Sequence, residues 1–176
     1  MNGNIRLGIS RCLLGENVRY DGGHKLDVDL RDALARIAAF VPVCPEVECG
    51  LGIPREPMNL CGDPSAPRLV AVASGLDLTE KLTAWAARRL DELAGEGLCG
   101  FVFKSGSPSC GLEGVTVYQA NGGVTQTGVG IFARMFAERF ALVPREDEAR
   151  LRGPALRENF IERLAAFKRG LPTRRI

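Results

Sequence analysis

Six cysteines stand at positions 12, 44, 49, 61, 99 and 110 of a 176-residue chain, and no two of them form a Cys-x-x-Cys pair. That spacing argues against a zinc ribbon and against a thioredoxin-type redox motif, both of which place two thiols within one turn. Only one histidine is present, His24. A two-histidine metal site is therefore excluded, and any mechanism that pairs a thiol or hydroxyl with imidazole must run through that residue. Three uses remain for the cysteines: ligation of a metal or cluster assembled across the fold, nucleophilic catalysis, or burial as inert small hydrophobes.

Three stretches concentrate the chemistry. Ser10 to Lys25 reads SRCLLGENVRYDGGHK, Cys44 to Pro57 reads CPEVECGLGIPREP, and Phe103 to Gly111 reads FKSGSPSCG. Glycine and proline hold backbones in shapes that other residues resist, so loops this rich in them suit close approach to a ligand or cluster.

The elements between these loops decide whether the thiols can meet. Ile5 to Ser10 is a short branched apolar run that reads as a strand and stops just before Arg11 and Cys12. Asp27 to Ile37 has the three- and four-residue apolar steps of an amphipathic helix. Ala39 to Cys44 reads as a second strand, which Pro42 places at an edge. Arg68 to Ser74 reads as a third, followed by a helix from Leu78 to Leu93 with Leu82, Trp85, Ala86, Leu90 and Leu93 on one face and Gly95 and Gly97 as terminators. Cys99 to Lys104 is the next strand. The VTVYQ run with the glycines from Gly122 to Gly130 suggests a looser hairpin or a loop, and Ile131 to Phe140 and Pro154 to Lys168 read as helices.

Strands alternating with helices imply an α/β fold, a single Rossmann-like domain over residues 1–176 with a mainly parallel sheet flanked by helices. In such sheets ligands bind at the carboxyl ends of the strands. Cys12, Cys44 and Cys110 each follow a strand, so residues far apart in sequence can converge there. Iron–sulfur clusters are held by cysteine thiolates, four for a complete 4Fe-4S set, and Cys44-Pro45 is a familiar local element of such sites. If only three thiolates converge, one iron stays open as a Lewis acid with an affinity for sulfur. Three cysteines and a water on zinc are the alternative.

The segments CLLGENVRYDG, CPEVECGLGIPREP and KSGSPSCG, in this order, resemble the signature segments of the thiouracil desulfidase family, over roughly Ile5 to Phe140. The resemblance implies a 4Fe-4S cluster with three cysteine ligands. Its open iron takes sulfur from a thiolated pyrimidine, which leaves as sulfide with no net redox change. By motif position the ligands are Cys12, Cys44 and Cys110, with Glu46 and Ser107 as the catalytic carboxylate and serine.

These roles have a physical sense. Glu46 would take a proton from water and return it to the departing group. Ser107 would hydrogen-bond a ring carbonyl or the water, or else cap its turn, and Ser105 and Ser109 compete for that role. Arg19, Tyr20 and Asp21 could orient the ring or form an ordinary turn. Glu48 is a second candidate proton carrier, Cys49 a second candidate ligand, and His24 a group behind the site; Cys61 and Cys99 read as inert. Two other functions stay open: a nucleophilic Cys110 in an anion-binding nest of SGSPSCG amides, and a cluster- or zinc-binding sensor without turnover.

Lysine and arginine number 23 against 21 acidic residues, a net charge of +2, so no basic excess points to a stable nucleic-acid partner. No apolar run has the length of a signal peptide's core or a membrane span. The chain reads as a cytoplasmic enzyme for a small thiolated pyrimidine.

Overall fold

Ile5–Ser10 forms β1, the centre of a parallel sheet. Ala38–Val43 (β2) lies on one side of it; Gly100–Phe103 (β5) lies on the other, with Arg145–Asp147 (β8) beyond, giving the order β2-β1-β5-β8. This computed structural model describes residues 5–170. β2 is an edge strand, as Pro42 predicts. The sheet is covered on both faces. Leu7, Ile9 and Val102 pack with Leu30 and Leu34 of α1 (Val28–Ala35) and with Phe160 and Leu164 of α6 (Pro154–Lys168). On the other face Val41, Val43, Phe101 and Phe103 meet α3 (Thr79–Gly95) and α4 (Ile131–Arg139). The Phe101 and Phe103 rings stack with centroids 4.2 Å apart. Gly8 makes room for them, since a Cβ there would fall 2.2 Å from the Phe101 ring.

The sequence leads one to expect a mainly parallel sheet with Arg68–Ser74 as its third strand. The structure keeps the α/β class and the all-parallel sheet but sends that segment elsewhere. Arg68–Ala71 (β4) belongs to a second sheet, antiparallel to Met58–Cys61 (β3), which in turn runs parallel to Val115–Tyr118 (β6); β6 pairs antiparallel with Val124–Gly128 (β7). Strand pairing is a non-local choice, and β3, four residues with only Met58 and Leu60 buried, is too short to announce itself. Of the hairpin and the loop left open after Val115, the structure forms the hairpin, β6-β7.

Cys12 lies in a single 3-10 turn, Arg11–Leu14, at the end of β1. Pro45–Glu48 forms α2 after β2, and Glu148–Leu151 forms α5 after β8. From β1 the chain crosses to β2 on one side, while β5 joins on the other, so the topological switch point lies between β1 and β5. The crevice beyond their carboxyl ends is where such sheets hold ligands. Among the described residues no helix is long and apolar enough to cross a membrane.

Candidate active site

Three loops leave the carboxyl ends of β1, β2 and β5 and enclose a cavity of about 390 Å³. That volume lies within the roughly 300–1,000 Å³ of small-molecule sites. Cys12, Cys44 and Cys110 all line it, together with Glu46, Ser107, Arg19 and Tyr20. The three thiols are buried, at 9%, 9% and 5% exposure, and all six cysteines are free. Burial pushes the Cys12 thiol up to about 11 and raises those of Cys44 and Cys110 as well; the neighbouring Cys44 adds to the rise at the other two. Uncomplexed, these groups hold their protons. Among the described residues no three histidine, cysteine or acidic side chains stand close enough to share one metal ion.

The ambiguities left by the sequence separate in space. Cys49 packs against the apolar core, its Sγ 3.2 Å from the Glu46 carbonyl oxygen, and does not line the cavity. Glu48 also turns aside. Its Oε1 accepts the Cys44 N–H at 2.8 Å and its Oε2 lies 3.4 Å from Arg89, so it caps α2 and leaves Glu46 as the carboxylate of the cavity. Asp21 remains outside: its Oδ1 accepts the Gly23 N–H at 3.0 Å, the chief cause of its lowered pKa. His24 is exposed, with Nδ1 accepting the Leu26 N–H at 3.1 Å. Cys61 and Cys99 lie away from the cavity, with their sulfurs near the Asn59 and Gly97 carbonyl oxygens.

Glu46 is held on both oxygens. Arg55 donates from Nε at 2.8 Å and from a terminal nitrogen to Oε2, while the Ser109 hydroxyl donates to Oε1 at 2.8 Å. Arg55 also reaches the Val18 carbonyl oxygen at 3.0 Å, and its own N–H donates to the Tyr20 carbonyl oxygen at 2.9 Å, which ties the second loop to the first. Ser107 caps its turn: its Oγ accepts the N–H groups of Ser109 at 3.2 Å and Cys110 at 3.1 Å. It touches Glu46 only through Ser109, whose Oγ lies 3.0 Å away.

The third loop is anchored at both ends. At its start Lys104 donates its N–H to Ser10 Oγ at 3.0 Å and its ammonium to Glu148, whose other oxygen accepts the Ser105 N–H at 2.7 Å. Burial opposes the charge on Glu148, but the hydrogen bonds from Lys104 and Ser105 outweigh it and hold the carboxyl below its usual range. At the other end the Pro108 and Ser109 carbonyl oxygens accept the first N–H groups of α4, from Ile131, Phe132 and Ala133. Gly130 permits this approach, because a Cβ there would sit 2.6 Å from the Ser109 carbonyl.

Arg55, Lys104 and Glu148 escape a reading of the sequence. Arg55 follows Glu46 at no helical or strand spacing, and Glu148 lies 44 residues from Lys104. The only available signal was the placing of Arg55 within the same Gly- and Pro-rich loop.

A model of the 2-thiouracil desulfurase family matches residues 7–148. The chain belongs to this family. A solved structure titled 4Fe-4S-dependent thiouracil desulfidase TudS is 33% identical, with a TM-score of 0.68, and the match covers 88% of this chain and 98% of that one. YbbK of Bacillus subtilis (strain 168), described as uncharacterised, is 31% identical over 145 residues, which make up 80% of this chain and 95% of that protein. Membership of the desulfurase family makes the chain an enzyme of carbon–sulfur bond cleavage, and all three cavity thiols and Glu46 fall within the matched residues.

Proposed function

We propose that this enzyme removes sulfur from 2-thiouracil or a related thiolated pyrimidine at a 4Fe-4S cluster held by Cys12, Cys44 and Cys110. Sulfide leaves by hydrolysis with no net redox change. The observation that carries the reading is the meeting of three buried, unpaired thiols from three strand ends in one cavity that also holds Glu46.

The donor set fits the group. All three candidates are soft sulfur ligands, whose protons a metal would displace. Three thiolates on one zinc ion lie within about 4 Å of one another. No such preformed triad exists among the described residues. With three thiolates bound, the cluster would supply an open iron as a Lewis acid and soft acceptor for the thiocarbonyl sulfur.

The remaining chemistry belongs to the chain. Water's oxygen bonds to the thiocarbonyl carbon, the carbon–sulfur bond breaks, and both protons of water end on sulfide or solvent, so no electrons are exchanged. A carboxylate offers about two lone pairs on each oxygen. On Glu46 both pairs of Oε2 face Arg55 and one of Oε1 faces Ser109, which leaves one on Oε1 to take and return a proton. Ser107, Arg19 and Tyr20 line the same cavity and would hold the ring.

The nucleophile reading of Cys110 has less support. Burial pushes its thiol up, which depletes the reactive thiolate, and Ser107 takes the Ser109 and Cys110 amides out of any anion nest. Six free thiols and a balanced surface charge fit a cytoplasmic enzyme with a small-molecule substrate.

The test is direct. Protein loaded with iron and sulfide without oxygen should hold about four irons and about four acid-labile sulfides per chain. It should convert 2-thiouracil to uracil and sulfide with no electron donor. A loaded protein that turns over only with a reductant removes the hydrolytic mechanism. One that releases no sulfide at all leaves the sensor reading.

A further inference from the structure

Ser109 stands between the two residues that the motifs assign to catalysis. It is 2% exposed, and its hydroxyl lies 2.8 Å from Glu46 Oε1 and 3.0 Å from Ser107 Oγ. The direction of these bonds follows from counting donors. An ion-paired carboxylate only accepts, so the single Ser109 proton goes to Oε1. Ser107 Oγ already accepts two backbone N–H groups, which fill both of its lone pairs. In the substrate-free protein its own proton is then left for Ser109. The hydroxyls form a chain of one polarity, Ser107 to Ser109 to Glu46.

The backbone of Ser109 has little freedom. Its carbonyl oxygen accepts from Phe132 at 2.9 Å and from Ala133 at 3.2 Å, and Gly130 packs against it. Oε1 is also the Glu46 oxygen that keeps a spare lone pair. We propose that Ser109 is a positioning residue, which aims that lone pair and holds Ser107 in register with it, so that Glu46 and Ser107 act as one unit. The proposal rests on the desulfidase reading and gives Ser109, a competitor for the place of Ser107 in the sequence, a role of its own beside it.

A double-mutant cycle on cluster-loaded protein tests this. Ser109→Ala removes only an oxygen, and one hydrogen bond to a charged group corresponds to about a ten- to hundredfold fall in kcat. KM should stay within about twofold, with iron content and the cluster's spectrum unchanged. In a Glu46→Gln background, where there is no proton carrier left to aim, the same change should cost less than about twofold, a strongly non-additive result. Equal losses in both backgrounds, a normal kcat for Ser109→Ala, or a loss that tracks iron content each overturn the positioning role. A wild type that turns over normally while the cycle is additive removes this inference alone; a wild type that releases no sulfide removes the desulfidase reading with it.

Discussion

Glu46 and Arg55, nine residues apart in one loop, lock together almost out of reach of water: Arg55 Nε donates to Glu46 Oε2 at 2.8 Å, with the side chains 12% and 9% exposed. Removing one member of such a pair leaves the other buried and uncompensated, a cost of about 3–5 kcal/mol. Arg55→Met should therefore lower the urea midpoint of the metal-free protein and also reduce turnover once loaded. Arg55→Lys keeps the charge but not the planar fork, so it should recover stability more fully than kcat. Equal recovery of both would show that charge alone positions Glu46.

The two acidic residues of α2 should part company. Glu46→Gln keeps the shape but loses the titratable proton, and kcat should fall by about 100- to 10,000-fold, the usual scale for general acid–base catalysis. Glu48→Gln keeps an oxygen for the Cys44 N–H, loses only the charge that faces Arg89 at 3.4 Å, and stays out of the cavity. It should cost at most about 1 kcal/mol of stability, the scale of such an ion pair, and leave kcat within a few-fold. Stopped assays of sulfide release beside thermal melts separate the two; a dead Glu48→Gln with intact iron would reverse the assignment.

Iron content sorts the thiols. Single Cys12→Ser, Cys44→Ser and Cys110→Ser variants should each lose or destabilise the cluster, because a hydroxyl is a poor substitute for a soft ligand. Cys49→Ser, Cys61→Ser and Cys99→Ser should load normally, since none of these sulfurs lines the cavity. Loss of iron in Cys49→Ser with retention in Cys44→Ser would mean that the second loop rearranges when it binds.

Much of this site was legible because strand ends are local events. Ile5–Ser10 and Gly100–Phe103 are apolar runs that stop where turn residues begin, and the residues after them must share one rim of a parallel sheet. Arg145–Asp147 carries no such signal. It is a strand of three charged residues, with Glu146 buried against Arg163 of α6 at 2.7 Å, a partner that only the folded chain supplies. The clamp on Glu46 was hidden for the same reason. Arg55 and Ser109 approach it from its own loop's far end and from a loop 63 residues away, and no periodicity relates them.

The buried thiols predict a pH dependence that binding of the cluster should erase. Desolvation, with Cys44 adding to it, raises the Cys12 thiol from 9.0 to about 11 in the metal-free fold. A thiolate is thus harder to form in the folded chain than in the unfolded one. The stability linked to Cys12 is complete below about pH 9 and is lost as pH rises through about 11, in all about 2–3 kcal/mol. Urea midpoints of metal-free wild type and Cys12→Ser, measured from pH 8 to 11, should show this as a shrinking difference between the two proteins. Loaded protein should lack it, because the ligand thiol has already given up its proton, and loading itself should release protons and strengthen as pH rises toward 9. A difference that stays constant with pH would mean that water reaches Cys12 in the metal-free state and that its burial is acquired only with the cluster.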